Sequence, residues 1–188
     1  MANRDGANGL RPSRHLTGGV VRANEYSIAS EYNTNIFTGD VVEMTGTGKN
    51  VAVAAGGNVD NVGVFAGCRY VNAQGEQKFS AYWPANTTAT DIVALVYDDP
   101  NIVFSAQCDT LAEADVGLLT DWDDGAGSVV SGQSGRELAA SLGATTGQAL
   151  RILGLVPSPD NAYGAFAKVE VAFAEHVMKG VVAGVGGI

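Results

Sequence analysis

Histidine is nearly missing from this chain: His15 and His176 are the only 2 among 188 residues. That scarcity excludes a metal site built from several histidines of one chain, and the neighbours of the pair suggest no Ser-His-Asp or Cys-His set. Cysteine is equally scarce. Cys68 and Cys108 each fall on an apolar strand-like face, so both read as small buried hydrophobes. No stretch reaches the roughly 18 apolar residues that a membrane helix needs. Residues 1–6 contain no apolar signal core, which predicts folding in the cytoplasm where the chain is made.

Positive charge is absent between Lys78 and Arg136. That stretch holds Asp91, Asp98, Asp99, Asp109, Glu113, Asp115, Asp121, Asp123 and Asp124, equal in number to the whole net charge of -9. Residues 1–24 run the other way, with Arg4, Arg11, Arg14 and Arg22 against Asp5. A body this acidic stays soluble and repels nucleic acid, so no direct nucleic-acid contact is expected. The basic N-terminal segment reads as an arm that docks on an acidic partner.

What the chain does have is a β rhythm. Hydrophobic residues make up 46 %, and 25 glycines punctuate short segments at turn-like spacing. In Val62–Tyr70 the residues Val62, Val64, Ala66, Cys68 and Tyr70 share one face. Strands are expected over Asp40–Met44, Val51–Ala55, Val62–Val71, Gln77–Trp83, Ile92–Tyr97, Ile102–Cys108, Leu150–Val156 and Lys168–Ala174. Weaker patterns occur at Leu118–Trp122 and Ser128–Val130. Ile92–Tyr97 is apolar on both faces and should lie inside a sheet. The predicted core includes Val64, Ala66, Ile92, Ala94, Val96, Phe104, Leu150, Ile152, Val169 and Val171.

The spacing Thr110-Leu111-Ala112-Glu113 predicts one short helix over Leu111–Val116, stopped by Gly117. Gly6, Gly9, Pro12, Gly18 and Gly19 exclude a regular helix near the N-terminus, and apolar residues there are too sparse for a core strand. The fold expected is all-β: a small β-barrel or sandwich with an extended N-terminal arm and one short helix. Its parts are an arm over 1–24, a β-rich body over 25–176 and a Gly-rich C-terminal tail over 177–188.

Motifs for chemistry fail on inspection. Asp121-Trp122-Asp123-Asp124-Gly125 lacks the terminal Glu of an EF-hand, since position 132 is Gly132. Gly46-Thr47-Gly48-Lys49 has Glu43 where a phosphate loop needs Gly, and Asn50 where it needs Ser or Thr. Asp98 and Asp99, followed by Pro100 and Asn101, read as turn formers rather than an acid/base pair. No catalytic residue, metal or cofactor is expected, and the chain reads as a structural protein rather than an enzyme. Tyr82 and Trp83 close a strand before Pro84 and read as core or interface packing, which makes them candidate interface aromatics.

The string Val62–Tyr70, the segment Tyr82-Trp83-Pro84, and Val96-Tyr97-Asp98-Asp99-Pro100 with Phe104 resemble the decoration, or cement, proteins of tailed-bacteriophage heads. Ala114–Gly117, Gly132–Gly135, Leu150–Leu155 and Asp160–Gly164 fit the same pattern, so the resemblance covers roughly residues 16 to 176. It implies a β module on the capsid exterior, bound where major capsid protein subunits meet and reinforcing the DNA-filled head. Trimers are common in that class, so a homotrimer is expected, with a dimer as the alternative. The expected capsid-binding arm comprises Leu10, Arg11, Pro12, Arg14, His15, Leu16 and Arg22, with Leu10, Pro12 and Leu16 filling shallow pockets. The expectation is that residues 1–22 can be deleted without unfolding the body. Competing readings are another viral or cell-surface β structural module, such as a head fibre, tail component or pilus-like subunit, and a carbohydrate-binding module or β-sandwich hydrolase.

Overall fold

The computed structural model describes residues 3–56, 60–139, 142–143 and 148–179. The protein is all-β with a nearly closed, barrel-like sheet. In chain order the strands are β1 (Arg11–His15), β2 (Asn24–Tyr26), β3 (Ile36–Phe37), β4 (Val41–Met44), β5 (Val51–Val53), β6 (Asn61–Asn72), β7 (Gln77–Ser80) and β8 (Tyr82–Trp83). They continue with β9 (Ala89–Tyr97), β10 (Ile102–Leu111), β11 (Leu119–Thr120), β12 (Trp122–Asp123), β13 (Glu137–Leu138), β14 (Leu150–Leu155) and β15 (Gly164–Phe173).

Two sheets carry the fold. One has the order β2-β9-β6-β4-β5, with β7 also on β6. The other has the order β11-β14-β15-β10-β13-β12, with β1 also on β10. Each is organised around one long strand with two short strands end to end along one edge. On β6 these are β4 and β7, opposite β9; on β10 they are β1 and β13, opposite β15. A separate pair, β3 with β8, completes the ladder inventory.

The alternation read from sequence marks most of the core. Val64, Ala94, Val96, Phe104, Leu150, Ile152, Val169 and Val171 are all buried. Ala66 and Ile92 are only half-buried. At Ala66 the reason is a bulge between Phe65 and Gly67 in the pairing with β9, which breaks the period of two and turns Phe65 inward. Ile92–Tyr97 lies inside its sheet, as expected, with β2 on one side and β6 on the other. Both cysteines are free and buried, one in each sheet. Burial pushes the Cys68 thiol up to about 12.

Three expectations need correction. The helix reduces to a single 3-10 turn at Glu113–Asp115, because the β10–β15 ladder runs on to Leu111 opposite Gly164. The Ala112 N–H donates to Asp115 Oδ2 at 2.7 Å, which caps this turn in place of the expected Thr110. Ser128–Val130 is not a strand but a tight turn closed by Ser128 N–H to Gln133 O, with Val130 at 95 % exposure. Most important, the N-terminal segment is not a free arm. Arg11–His15 pairs antiparallel with Ile102–Ser105, and Leu10 is 1 % exposed in the core beneath β10, β14 and β15. An edge strand accepts Pro12, which has no N–H to offer a second neighbour.

The segment also reaches toward the other sheet: Leu10 N–H donates to Gly39 O, just before β4, at 2.9 Å, while Gly9 N–H donates to Arg136 O, beside β13 of its own sheet, at 3.0 Å. Gly9 has φ +72°, and a Cβ there would stand 2.5 Å from Gly39 O, so the crossing of these two backbones admits only glycine.

Candidate interaction surface

The expected site residues do not form one surface. Leu10 is core and cannot fill a partner's pocket. Arg14 is engaged internally: Nε and Nη2 bond Glu170 on β15, the shortest contact being 2.8 Å. Trp83 is fully buried beside Tyr70 in an edge-to-face contact at 5.2 Å, and Tyr82 stacks on Phe37 at 5.4 Å. Trp83 therefore belongs to the core of the β6–β9 half, whereas Tyr82 stays half-buried at its margin. Arg11 and Pro12 are half-buried, whereas Leu16 and Arg22 are exposed.

His15 is a structural hinge between strand and loop. Its Nδ1 accepts the N–H groups of Thr17 at 3.2 Å and Gly19 at 3.1 Å. Nε2 is thereby the donor to Asp99 Oδ2, 3.0 Å away. The Asn101 N–H donates to the other Asp99 oxygen at 2.8 Å; this bond, and then His15, hold the Asp99 carboxyl below its ordinary range. Asp98 is buried and accepts from Asn24 Nδ2 at 2.7 Å and Tyr26 Oη at 2.9 Å. Burial, reinforced by Asp98, pushes the Tyr26 hydroxyl up to about 12. The two aspartates thus build the β9–β10 turn, which carries the chain from one sheet to the other.

His176, the other histidine, closes the same end from the far side. It is 2 % exposed, packs edge-on to Phe173 at 5.3 Å, and takes the Met178 N–H on Nδ1 at 3.1 Å. Burial lowers its pKa to about 4. The next residue, Val177, donates its N–H to Asn61 O at the start of β6, so the chain returns to the first sheet.

These contacts bring separated segments to one end of the molecule. Leu16 N–H bonds Asn101 O, and Asn61 lies just beyond the Val64–Tyr97 pair. Around that end Leu16 is 47 % exposed, Val20 84 %, Val177 48 % and Met178 58 %. Single exposed apolar residues are ordinary, but four on segments drawn to one end make this end the candidate interaction surface. Sequence reasoning named Leu16 and missed Val20, Val177 and Met178. Residues 180–188, most of the Gly-rich tail, lie outside the described residues.

One exposed aromatic stands apart from that end. Phe79 on β7 is 75 % exposed. β7 bonds β6 through Tyr70–Lys78 and Cys68–Ser80, so Phe79 and Gln77 turn their backbone groups outward at a free edge among the described residues.

No family model matches the chain, and no curated protein or solved structure matches it either.

Proposed function

We propose that this protein is a structural decoration protein of a tailed-phage head, seated on the capsid exterior through the β9–β10 end. The observation that supports this reading most is the exposure of Leu16 and Val20, on a loop that His15 and Asp99 hold in place, at the end where Val177 and Met178, held by Asn61 and His176, are also exposed. A preformed contact loses little entropy on binding, so many copies with modest individual affinity can cover a shell. The segments that resemble cement proteins are the ones that make this fold: Val62–Tyr70 is the centre of β6, and Val96–Pro100 is the crossover between sheets.

In this reading the partner is the major capsid protein at subunit junctions, and the protein stabilises the packaged head without catalysis. Self-association, as a homotrimer or alternatively a dimer, uses the free β7 edge with Phe79 at its centre. The test is re-addition of purified protein to heads assembled without it, scored by bound copies and by the temperature of DNA release. Wild-type protein should saturate the heads and raise that temperature. The variant Leu16→Asp with Val20→Asp should stay folded, because both side chains are exposed, and should fail to bind. Equal occupancy by the variant, or no binding by the wild type, refutes the proposal.

A further inference from the structure

The chain has few cations, and most are engaged. Arg14, Arg69, Lys78 and Arg136 are ion-paired. Lys49 lies over the Tyr26 ring, Lys179 bonds Phe173 O, and Arg151 bonds Gly117 O. Of the remaining four, Arg22 stands on the exposed loop. The other three, Arg4, Arg11 and Lys168, converge elsewhere. A cleft of about 420 Å³ is lined by Arg4, Lys168, Asp160 and Phe166 among others, and Lys168 also walls an adjoining depression of about 120 Å³ that contains Arg11.

The walls of this groove are fixed by side chains. Asn3 Nδ2 donates to Ala162 O and Ala165 O, both at 2.8 Å, while its Oδ1 accepts the Ala162 N–H at 3.1 Å. Asn161 does the same within its own loop: Nδ2 donates to Val156 O and Lys168 O, and Oδ1 accepts the Lys168 N–H at 2.9 Å. Beneath the second depression, the side chain of buried Gln107 takes the Gly6 N–H and donates to Asp5 and Glu137. Arg11 Nε is shielded from solvent and has no hydrogen-bond partner among the described residues. Its guanidinium pKa is lowered by burial, a cost that an incoming carboxylate would offset.

We infer that this groove between residues 3–11 and β15 receives an acidic, extended peptide segment, with carboxylates on Arg4, Arg11 and Lys168. A peptide fits better than nucleic acid. The groove is short and isolated on an acidic molecule, Asp160 stands on its rim, and polyphosphate binding needs a longer run of cations. Asp160 instead suits a backbone N–H of the entering chain. Under the proposed function the segment belongs to a capsid subunit, and the inference rests on that reading for the partner's identity alone.

The probe is an acetylated, amidated tetraglutamate peptide, titrated into the whole protein at low salt and followed by amide and Arg Nε–H chemical shifts. Shifts should concentrate at residues 3–11 and 161–168. Arg4→Ala with Lys168→Ala removes two charge-assisted contacts and should weaken binding about tenfold or more, and Lys168→Gln should act in the same direction. Arg22→Ala, which removes a cation on the exposed loop, should leave binding unchanged. Absence of peptide binding, or equal loss with Arg22→Ala, overturns the inference. So does inorganic phosphate filling the groove as tightly as the peptide, which would make it a small-oxyanion site. Heads play no part in this titration, so its failure is separable from failure of the capsid reading.

Discussion

The two halves of this molecule are built from the chain in opposite ways. The half around β6 and β9 comes from one continuous stretch, residues 24–97, and its core of Ile28, Phe65, Tyr70, Trp83 and Val96 is complete within that stretch. The half around β10 and β15 is assembled from distant parts of the chain: β1 and Leu10 from the start, β10 to β15 from the second part, with Val41, Ala54 and Val64 closing its core from between. A half closed by local hairpins can form early. One that needs residue 10 against residue 171 must first close a long loop. The lesson is that a segment with few apolar residues can still be structural when its single large anchor completes a core begun elsewhere.

The sharpest way to break this contrast is to delete residues 1–16. The protein should lose the β10–β15 half and, with it, cooperative folding, seen as loss of the main thermal transition by circular dichroism. A folded truncation with an unchanged transition would make the segment a tether. Next in size are single core truncations. Trp83→Ala in the continuous half should cost about 3–5 kcal/mol and Leu10→Ala in the discontinuous half about 2–5 kcal/mol, measured by denaturant unfolding. The two costs being similar would show that the N-terminal anchor is as much core as the buried tryptophan. A negligible cost for Leu10→Ala contradicts the account.

A smaller effect comes from His176, which joins the end of β15 to the start of β6. Its folded pKa of about 4 is below the usual 6.5, so the unfolded chain takes up a proton first as pH falls. Stability is therefore full above about pH 6.5 and declines towards pH 4, by up to about 3 kcal/mol. His176→Phe should flatten that slope whatever it does to stability at neutral pH. The smallest effect belongs to Arg14→Ala. The Arg14–Glu170 pair is exposed at the arginine, so the thermal midpoint should stay close to wild type, with any change vanishing at high salt.

How much of this was legible in the sequence follows the same division. Within the continuous half the hairpins around residues 45–50 and 72–76 were readable, because turn residues flank period-two strands. Asp98 and Asp99 were readable as turn formers, since Pro100 and Asn101 follow them. The bulge at Ala66 was not, because a one-residue slip leaves the pattern of apolar residues unchanged while reversing which face is buried. In the discontinuous half, Leu10 showed no periodicity, and its burial depends on β14 and β15, some 140 residues away. The clamps at Asn3 and Asn161 left no signal, because an asparagine that holds backbone groups resembles any polar loop residue. The arm was legible as extended. What its arginines touch was not: Glu170 and the groove beside Lys168 meet them only in the folded chain.

Residue-resolved amide hydrogen exchange on Leu10→Ala, compared with wild type under native conditions, tests the central claim most directly. The account holds that the N-terminal segment is a working strand of the β10 half. It predicts a large loss of protection for Phe104–Cys108 and Val169–Ala172, while Phe65–Tyr70 and Ala94–Val96 keep theirs. Unchanged protection throughout, or equal loss in both halves, would contradict it.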